Sequence, residues 1–183
     1  MAKTIAFLTA TEGIEQVELT EPWQAVLKAG GTPQLLSTVD AGETVQAYNH
    51  LDKADTFIVD TSVSRANVAD YDGLVLPGGV ANPDALRLNY AAVEFIKEWV
   101  AARKPIAAVS HASWSLIEAN VVRGKTMTSW PSLATDLTNA GAEWVDKEVQ
   151  VCPANGWVLV SSRKPEDLPA FNRELVTAFG LGS

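Results

Sequence analysis

The sequence has one cysteine, Cys152, and two histidines, His50 and His111, in 183 residues. A single cysteine excludes an internal disulfide, and no group of histidines, cysteines and carboxylates has the spacing of a metal site. No apolar run approaches the ~20 residues that span a bilayer, and nothing repeats at the period of a solenoid. We therefore expect no metal, no other cofactor and no membrane partner.

Basic residues are also few. The chain has 14 lysines and arginines against 22 aspartates and glutamates, a formal net charge of −8. Such a protein repels phosphate groups and anionic lipids, so nucleic acid is not expected as a partner. No basic, apolar leader precedes the strand-like segment at residues 4–10, and together with the single cysteine this predicts a cytoplasmic protein.

The sequence does contain short apolar runs that alternate with amphipathic segments. Runs that are apolar on both faces are typical of parallel strands covered from both sides, and they occur at residues 5–8, 34–36, 73–76, 105–109 and 157–160.

Helical periodicity lies between these runs. An apolar stripe recurs at three to four residues in 92–100, in 19–27 and in a last helix that begins at Pro165. Residues 40–63 alternate in polarity and contain turn residues, which predicts an antiparallel excursion or a hairpin. The whole pattern predicts one α/β domain over residues 1–183, a three-layer sandwich with a mostly parallel central sheet.

The segment AAVSHASW, residues 107–114, ends an apolar run at a serine that is followed by a histidine. A nucleophile elbow has the pattern GxSxG, because its sharp turn accepts only small residues two positions before and after the nucleophile. Here Ala108 and Ala112 occupy the glycine positions, so the match is loose. Because sites in α/β sheets form where strands end, Ser110 and His111 are nevertheless candidate site residues.

Two further features point to the same edge of the sheet. The segment LPGG ends another apolar run with Gly78 and Gly79, whose backbone N–H groups can approach a ligand closely. Glu18 lies near the start of the first helix, between two apolar residues, so its carboxylate can face inward. Each feature also has a structural interpretation, since a glutamate suits the helix dipole and glycines suit a turn.

Four colinear segments cover most of the chain: LTATEGIEQVELTEP, YDGLVLPGGVANPDALRLN, KPIAAVSHASWSLIEANVVRGKTMTSWPSLATDLTNAGAEWVD and SSRKPEDLPAFNREL. In them the sequence resembles the PfpI intracellular-protease branch of the ThiJ/PfpI superfamily. The resemblance implies a flavodoxin-like, class I glutamine amidotransferase-like fold. It also implies a stress-related function, since family members are described as peptidases, as glyoxalase III or deglycase enzymes acting on dicarbonyl adducts, and as chaperones.

The resemblance further implies roles for single residues. The elbow cysteine of the family falls on Ser110, its histidine neighbour on His111 and its helix glutamate on Glu18. The implied oxyanion donors are the backbone N–H groups of Gly79 and His111, with Gly78 in the same loop.

An acidic residue after the glycine loop completes the site from a neighbouring subunit in the protease branch, and the matching position is Asp84. The resemblance therefore implies a homodimer or a larger homo-oligomer. Asp84 also suits a turn or a helix cap after Pro83.

The sequence departs from the family at the elbow, where the usual CHGP reads SHAS. A serine hydroxyl has a far higher pKa than a thiol, so it needs a base during attack. The candidate bases are Glu18, His111 and His50, although His50 lies in the polar segment YNHLDK and is predicted to be a surface residue. Ser110 is then a working nucleophile, a silent position, or a serine that replaces the cysteine of the natural protein.

Three functions remain open from the sequence. The first is a hydrolase or glyoxalase-type enzyme of the stress response, acting on a small carbonyl compound or a peptide. The second is a non-catalytic, chaperone-like stress protein that retains the fold. The third is a protein that binds a small carbonyl or carboxylate metabolite in the same pocket.

Overall fold

Twelve strands and six α-helices form the protein in the computed structural model, which describes residues 1–182. The strands are β1 (Thr4–Thr9), β2 (Glu12–Glu15), β3 (Thr32–Ser37), β4 (Thr44–Asn49), β5 (Asp52–Ile58), β6 (Thr61–Ser62), β7 (Gly73–Leu76), β8 (Ile106–Val109), β9 (Thr126–Met127), β10 (Glu143–Trp144), β11 (Gln150–Cys152) and β12 (Leu159–Ser162). The helices are α1 (Gln16–Lys28), α2 (Ala81–Leu86), α3 (Tyr90–Ala101), α4 (Ser113–Glu118), α5 (Ala134–Asn139) and α6 (Leu168–Ala178).

Seven of the strands form the central sheet in the order β11-β12-β8-β7-β1-β3-β6. Every pairing in it is parallel except that of β11 with β12, which lies at one edge. The five apolar runs of the sequence correspond to β1, β3, β7, β8 and β12. The prediction of an α/β fold with a mostly parallel sheet is confirmed.

The two faces of the sheet bury two separate apolar clusters. In β1, Ile5 and Phe7 contact the cluster that includes α1 and α6, while Ala6 and Leu8 contact the cluster that includes α2 to α5. Successive residues of a strand point to opposite faces, so a strand buried on both sides must be apolar at every position. This produces the three layers that the sequence predicts.

The helices bury the stripes that their periodicity predicts, with one exception. Leu27 is 47% exposed, so the prediction that it faces the sheet was wrong. At 3.6 residues per turn, Val26 lies about 20° around the helix from Leu19, whereas Leu27 lies about 80° away. Val26 and Leu19 are accordingly buried, and Leu27 points to solvent.

The predicted hairpin at residues 40–63 is also present. Strands β4 and β5 pair antiparallel, and β4 pairs parallel with β2 in a separate three-stranded sheet. The side chains of Gln16 and Asp55 hold the hairpin against the start of α1. Gln16 Nε2 donates to Asp55 Oδ2 at 2.9 Å, and the Asp55 N–H donates to Gln16 Oε1 at 2.8 Å.

A fully buried lysine organises the chain between β11 and β12. Lys125 Nζ donates to the backbone carbonyl oxygens of Cys152 (3.2 Å), Ala154 and Trp157 (2.6 Å), and lies 3.9 Å from the centre of the Trp157 ring. Cys152 is buried beside it, and its Sγ accepts a hydrogen bond from the Thr126 N–H. The ammonium group therefore donates to three backbone carbonyl groups, at the end of β11 and in the segment that leads to β12.

We predict that Lys125→Met lowers the free energy of unfolding by about 2 kcal/mol or more, because buried carbonyl groups lose their donor. Urea denaturation measures the change. Lys147→Met is the matched control, since Lys147 is exposed and is expected to change stability little. Equal effects of the two substitutions would contradict a stabilising role for the buried ammonium.

Candidate active site

Three adjacent strands of the central sheet end at one edge, and each leads to a predicted site residue. Strand β8 is followed by Ser110 and β7 by the loop with Gly78 and Gly79. Strand β1 leads through β2 to α1, which carries Glu18 in its first turn. Because β8, β7 and β1 are neighbours in the sheet, these residues meet although they are far apart in the sequence.

Ser110 forms the elbow. It follows β8 directly, has a φ of 54°, and begins a 3₁₀ turn that continues into α4. A left-handed serine costs on the order of 1 kcal/mol and persists only where the surroundings impose it. Here the Trp130 N–H donates to the Ser110 carbonyl at 3.1 Å, and the Ser110 hydroxyl donates to Glu18 Oε1 at 2.9 Å.

Glu18 is the centre of the hydrogen bonds in the site. Its side chain is 1% exposed, and its Oε1 accepts from the Ser110 hydroxyl and from the Gly78 N–H at 3.0 Å. Burial raises the pKa of Glu18 from 4.5 to about 8, against the opposing effect of the Ser110 hydrogen bond. The carboxyl group therefore holds a proton in most molecules at neutral pH, and its ionised form is a stronger base than an ordinary glutamate.

The glycine loop is shaped by this contact. A Cβ on Gly78 would overlap the Ser110 hydroxyl and the Glu18 carboxylate, and a Cβ on Gly79 would overlap the Gly13 carbonyl. The Gly78 N–H already donates to Glu18, so Gly78 binds the acid, while Gly79 lines the open cleft. The backbone N–H of Gly79 also faces the Glu18 carboxyl group, and Gly79 is the one of the two glycines that lines the cleft.

The ring of His111 lies between two tryptophans. Its centre is 5.4 Å from that of Trp130, nearly parallel at 25°, and 5.2 Å from that of Trp114, inclined at 62°. Burial lowers the pKa of His111, so the imidazole is held in its neutral form. The hydroxyl of Ser110 is bonded to Glu18 and not to this ring.

A cleft of about 820 Å³ opens over these residues. Its buried part is lined by Ser110, His111 and Glu18, and its open part by the hairpin tip between β4 and β5 and by the loop before α6. Apart from the buried Glu18, three glutamates line the cleft, Glu12, Glu15 and Glu166, together with a single lysine, Lys164. The cleft is thus acidic as well as partly aromatic.

Two of the predicted site residues, Asp84 and His50, lie away from the elbow. Asp84 is exposed on α2 and does not line the cleft of its own chain. His50 is exposed, as the sequence predicts, but it also lines the cleft. The sequence names His50 as a candidate base on the surface but does not predict that it lines the cleft, and it does not predict the packing of Trp130 and Trp114 on His111. For His50, the presence of only two histidines in the sequence was the one available signal. The tryptophan contacts to His111 leave no local pattern in the sequence.

Residues 1–182 show neither a metal-ligand group nor a membrane-spanning helix. They contain no group of three or more histidines, cysteines or carboxylates that could hold a metal ion. Within the same residues, no helix is long and apolar enough to cross a membrane.

The model of the DJ-1/PfpI family matches residues 3–178. The chain belongs to the DJ-1/PfpI family. It is 38% identical over 174 residues to general stress protein 18 of Bacillus subtilis, covering 95% of this chain and 96% of the relative. It is 40% identical over 172 residues to a deglycase of Pyrococcus horikoshii, covering 94% and 96%.

A solved DJ-1/PfpI structure shows the same architecture. It is a two-domain protein of Anabaena variabilis that contains DJ-1/ThiJ/PfpI-like and ferritin-like domains. The likeness has a TM-score of 0.88 and 29% identity, and it covers 99% of this chain but 49% of that one. The family that the sequence resembles is thereby confirmed.

We predict that Glu18 makes the stability of this DJ-1/PfpI protein fall as the pH rises. The folded pKa, about 8, lies above the ordinary value of 4.5, so the stabilising effect is complete below pH 4.5 and is lost as the pH passes 8. Between pH 5 and pH 8, wild type should lose at least ~1 kcal/mol relative to Glu18→Gln, measured by urea denaturation.

The control is Glu98→Gln, which removes an exposed carboxylate from α3. Its stability is expected to follow that of wild type across this range. If the curves of wild type and Glu18→Gln run parallel, Glu18 does not titrate as its burial implies.

Proposed function

We propose that this DJ-1/PfpI protein is a stress-response protein whose elbow site acts on small reactive carbonyl compounds, with the Ser110 oxygen as the attacking atom. The observation that supports this most is the 2.9 Å hydrogen bond from the Ser110 hydroxyl to the buried Glu18 at the end of an open cleft. Relatives named as a general stress protein and as a deglycase support the same class of function.

The chemistry follows from the contacts. The Ser110 oxygen bonds to the carbonyl carbon while its proton passes to Glu18 Oε1, and the carbonyl oxygen receives the electron pair of the broken π bond. We take the donors that hold that oxygen to be the backbone N–H groups of Gly79 and His111, as the family resemblance implies. Because Glu18 must be ionised to accept the proton, activity should rise as the pH approaches 8.

The charge of the cleft restricts the class of substrate. Glu12, Glu15 and Glu166 line it against one lysine, Lys164, so a ligand with a carboxylate is disfavoured. The sequence leaves open a small carbonyl or a carboxylate metabolite. The charge of the cleft favours an uncharged carbonyl compound over a carboxylate. A peptide with a basic or neutral end is compatible with the same charge.

We predict that the conversion of methylglyoxal to lactate depends on residue 110. Ser110→Ala should abolish it, whereas Ser110→Cys should raise the rate about tenfold or more, because a thiolate forms at a far lower pH than an alkoxide. Lactate is followed over time for each variant. Ser132→Ala, a change of an exposed serine, is the control and should match wild type.

Turnover by the cysteine variant alone would instead indicate a site that is silent with serine. A chaperone-like function would then be the better proposal, and exposed apolar residues at the cleft mouth, Leu51 and Val80, favour it. In that case the protein should suppress the aggregation of a denatured client equally well with and without Ser110→Ala.

We further propose that the protein forms a homo-oligomer through the surface of α2. Asp84 lies one helical turn from Val80, whose carbonyl accepts the Asp84 N–H, and Val80 lines the cleft. Leu88 and Tyr90, which follow α2, are 84% and 79% exposed. A second copy that covers these apolar residues would also bring Asp84 to a cleft mouth.

We predict that the double variant Leu88→Asp, Tyr90→Asp is smaller in solution than wild type, since charge at an apolar interface prevents association. Light scattering on a sizing column measures the mass. Leu27→Asp is the control, because Leu27 is exposed on α1 at the other face of the sheet. A wild-type protein that is monomeric throughout would contradict this proposal.

A further inference from the structure

The cleft is much larger than the carbonyl group that reacts in it. A cleft of about 820 Å³ is in the range that accommodates a drug-sized ligand, whereas a three-carbon dicarbonyl is far smaller. The buried part, with Ser110 and Glu18, is sufficient for the reacting carbonyl. The open part is walled by side chains that the proposed reaction does not use, and the hairpin tip supplies three of them: Tyr48, His50 and Leu51.

The hairpin tip has a strained backbone at the histidine. His50 and Leu51 form a two-residue turn between β4 and β5, and His50 has a φ of 61°. Two-residue hairpin turns that require a positive φ favour glycine or asparagine, and histidine is less suited to this conformation. A residue other than glycine is uncommon at this φ, and the histidine places a side chain in the cleft that glycine would not provide.

Glu15 fixes this turn. Both of its carboxylate oxygens accept the His50 N–H, at 2.9 Å and 3.0 Å. Glu15 immediately precedes α1, the helix that presents Glu18 to Ser110. The bond between Glu15 and His50, together with the reciprocal pair of Gln16 and Asp55, sets the position of the hairpin tip relative to the reacting groups.

We propose that His50 is a specificity-determining residue, which contacts the part of a substrate that does not react, and that Glu15 is its positioning residue. The inference rests on the proposed function and deepens it. Among the dicarbonyl adducts on which the family resemblance implies activity, the cleft then favours those whose larger body is uncharged or cationic. The carbonyl end reaches Ser110, and the body lies against His50, Leu51 and Tyr48.

The charged and titratable groups that line the cleft with His50 come from five elements. They are Glu12 and Glu15 of β2, Glu18 of α1, Tyr48 of β4, His111 after β8, and Lys164 and Glu166 before α6. Because carboxylates outnumber the lysine, the test uses an uncharged body and a constant pH.

The test compares two substrates. Methylglyoxal alone is the small one, and its hemithioacetal with N-acetylcysteine amide is the large, uncharged one. His50→Asn should raise the KM for the hemithioacetal about fivefold or more, while the kcat and the KM for methylglyoxal change less than twofold. Asparagine is chosen because it accepts a positive φ, so the turn is retained.

Glu15→Gln tests the positioning. The glutamine keeps one oxygen that accepts the backbone N–H of His50, but it lacks the second oxygen and the charge. The KM for the hemithioacetal should therefore rise, by less than it rises in His50→Asn. Glu98→Gln serves as the control for loss of a distant carboxylate. Equal changes for both substrates, or no change for either, would overturn the proposal while leaving the carbonyl activity intact.

A second readout does not depend on turnover. The chain has two histidines, so the ring signals in an NMR spectrum of Ser110→Ala are assigned by their loss in His50→Asn. Addition of the hemithioacetal should shift the His50 signal, and addition of methylglyoxal should not. A shift of the His50 signal without activity in any variant would support binding of the substrate at His50 and reject the proposed reaction. An unmoved His50 signal would overturn the proposal.

Discussion

The site depends on one buried hydrogen bond, from the hydroxyl of Ser110 to the carboxyl group of Glu18 at 2.9 Å. A carboxyl group that is 1% exposed has lost its water, so it must be neutral or fully hydrogen-bonded. The structure uses both solutions, since burial raises the pKa and the Ser110 hydroxyl and Gly78 N–H donate to one oxygen. Any change that separates these groups leaves a buried acid without a partner.

The parallel sheet makes this contact possible. Strands β8, β7 and β1 are neighbours, and their carboxyl ends supply the elbow, the glycine loop and the connection to α1. The three groups approach so closely that Gly78 has no room for a side chain. The elbow then turns with a left-handed serine, whose carbonyl is held by the Trp130 N–H. Backbone strain and close packing thus have one common cause, the convergence of three strand ends.

The sequence predicts the parts of the site that local patterns determine. Apolar runs locate the strands, and an inward glutamate and small elbow residues mark Glu18 and Ser110 as candidates that the fold brings together. It does not predict the stacking of His111 on Trp130, because contacts between distant side chains leave no periodic signal. The hairpin was predicted, yet its place beside the cleft depends on Glu15 bonding to His50, a contact that no local pattern indicates.

In the reaction that we propose, the identity of residue 110 decides what Glu18 does. A neutral Glu18 can donate a hydrogen bond to a thiolate, so with a cysteine its raised pKa helps the ionised nucleophile. A serine stays protonated, and in this structure its hydroxyl donates to Glu18. In the reaction that we propose, the same acid is ionised and accepts the proton during attack. Under that proposal, a hydroxyl in place of a thiol makes Glu18 a base instead of a donor, and the pH that favours activity rises.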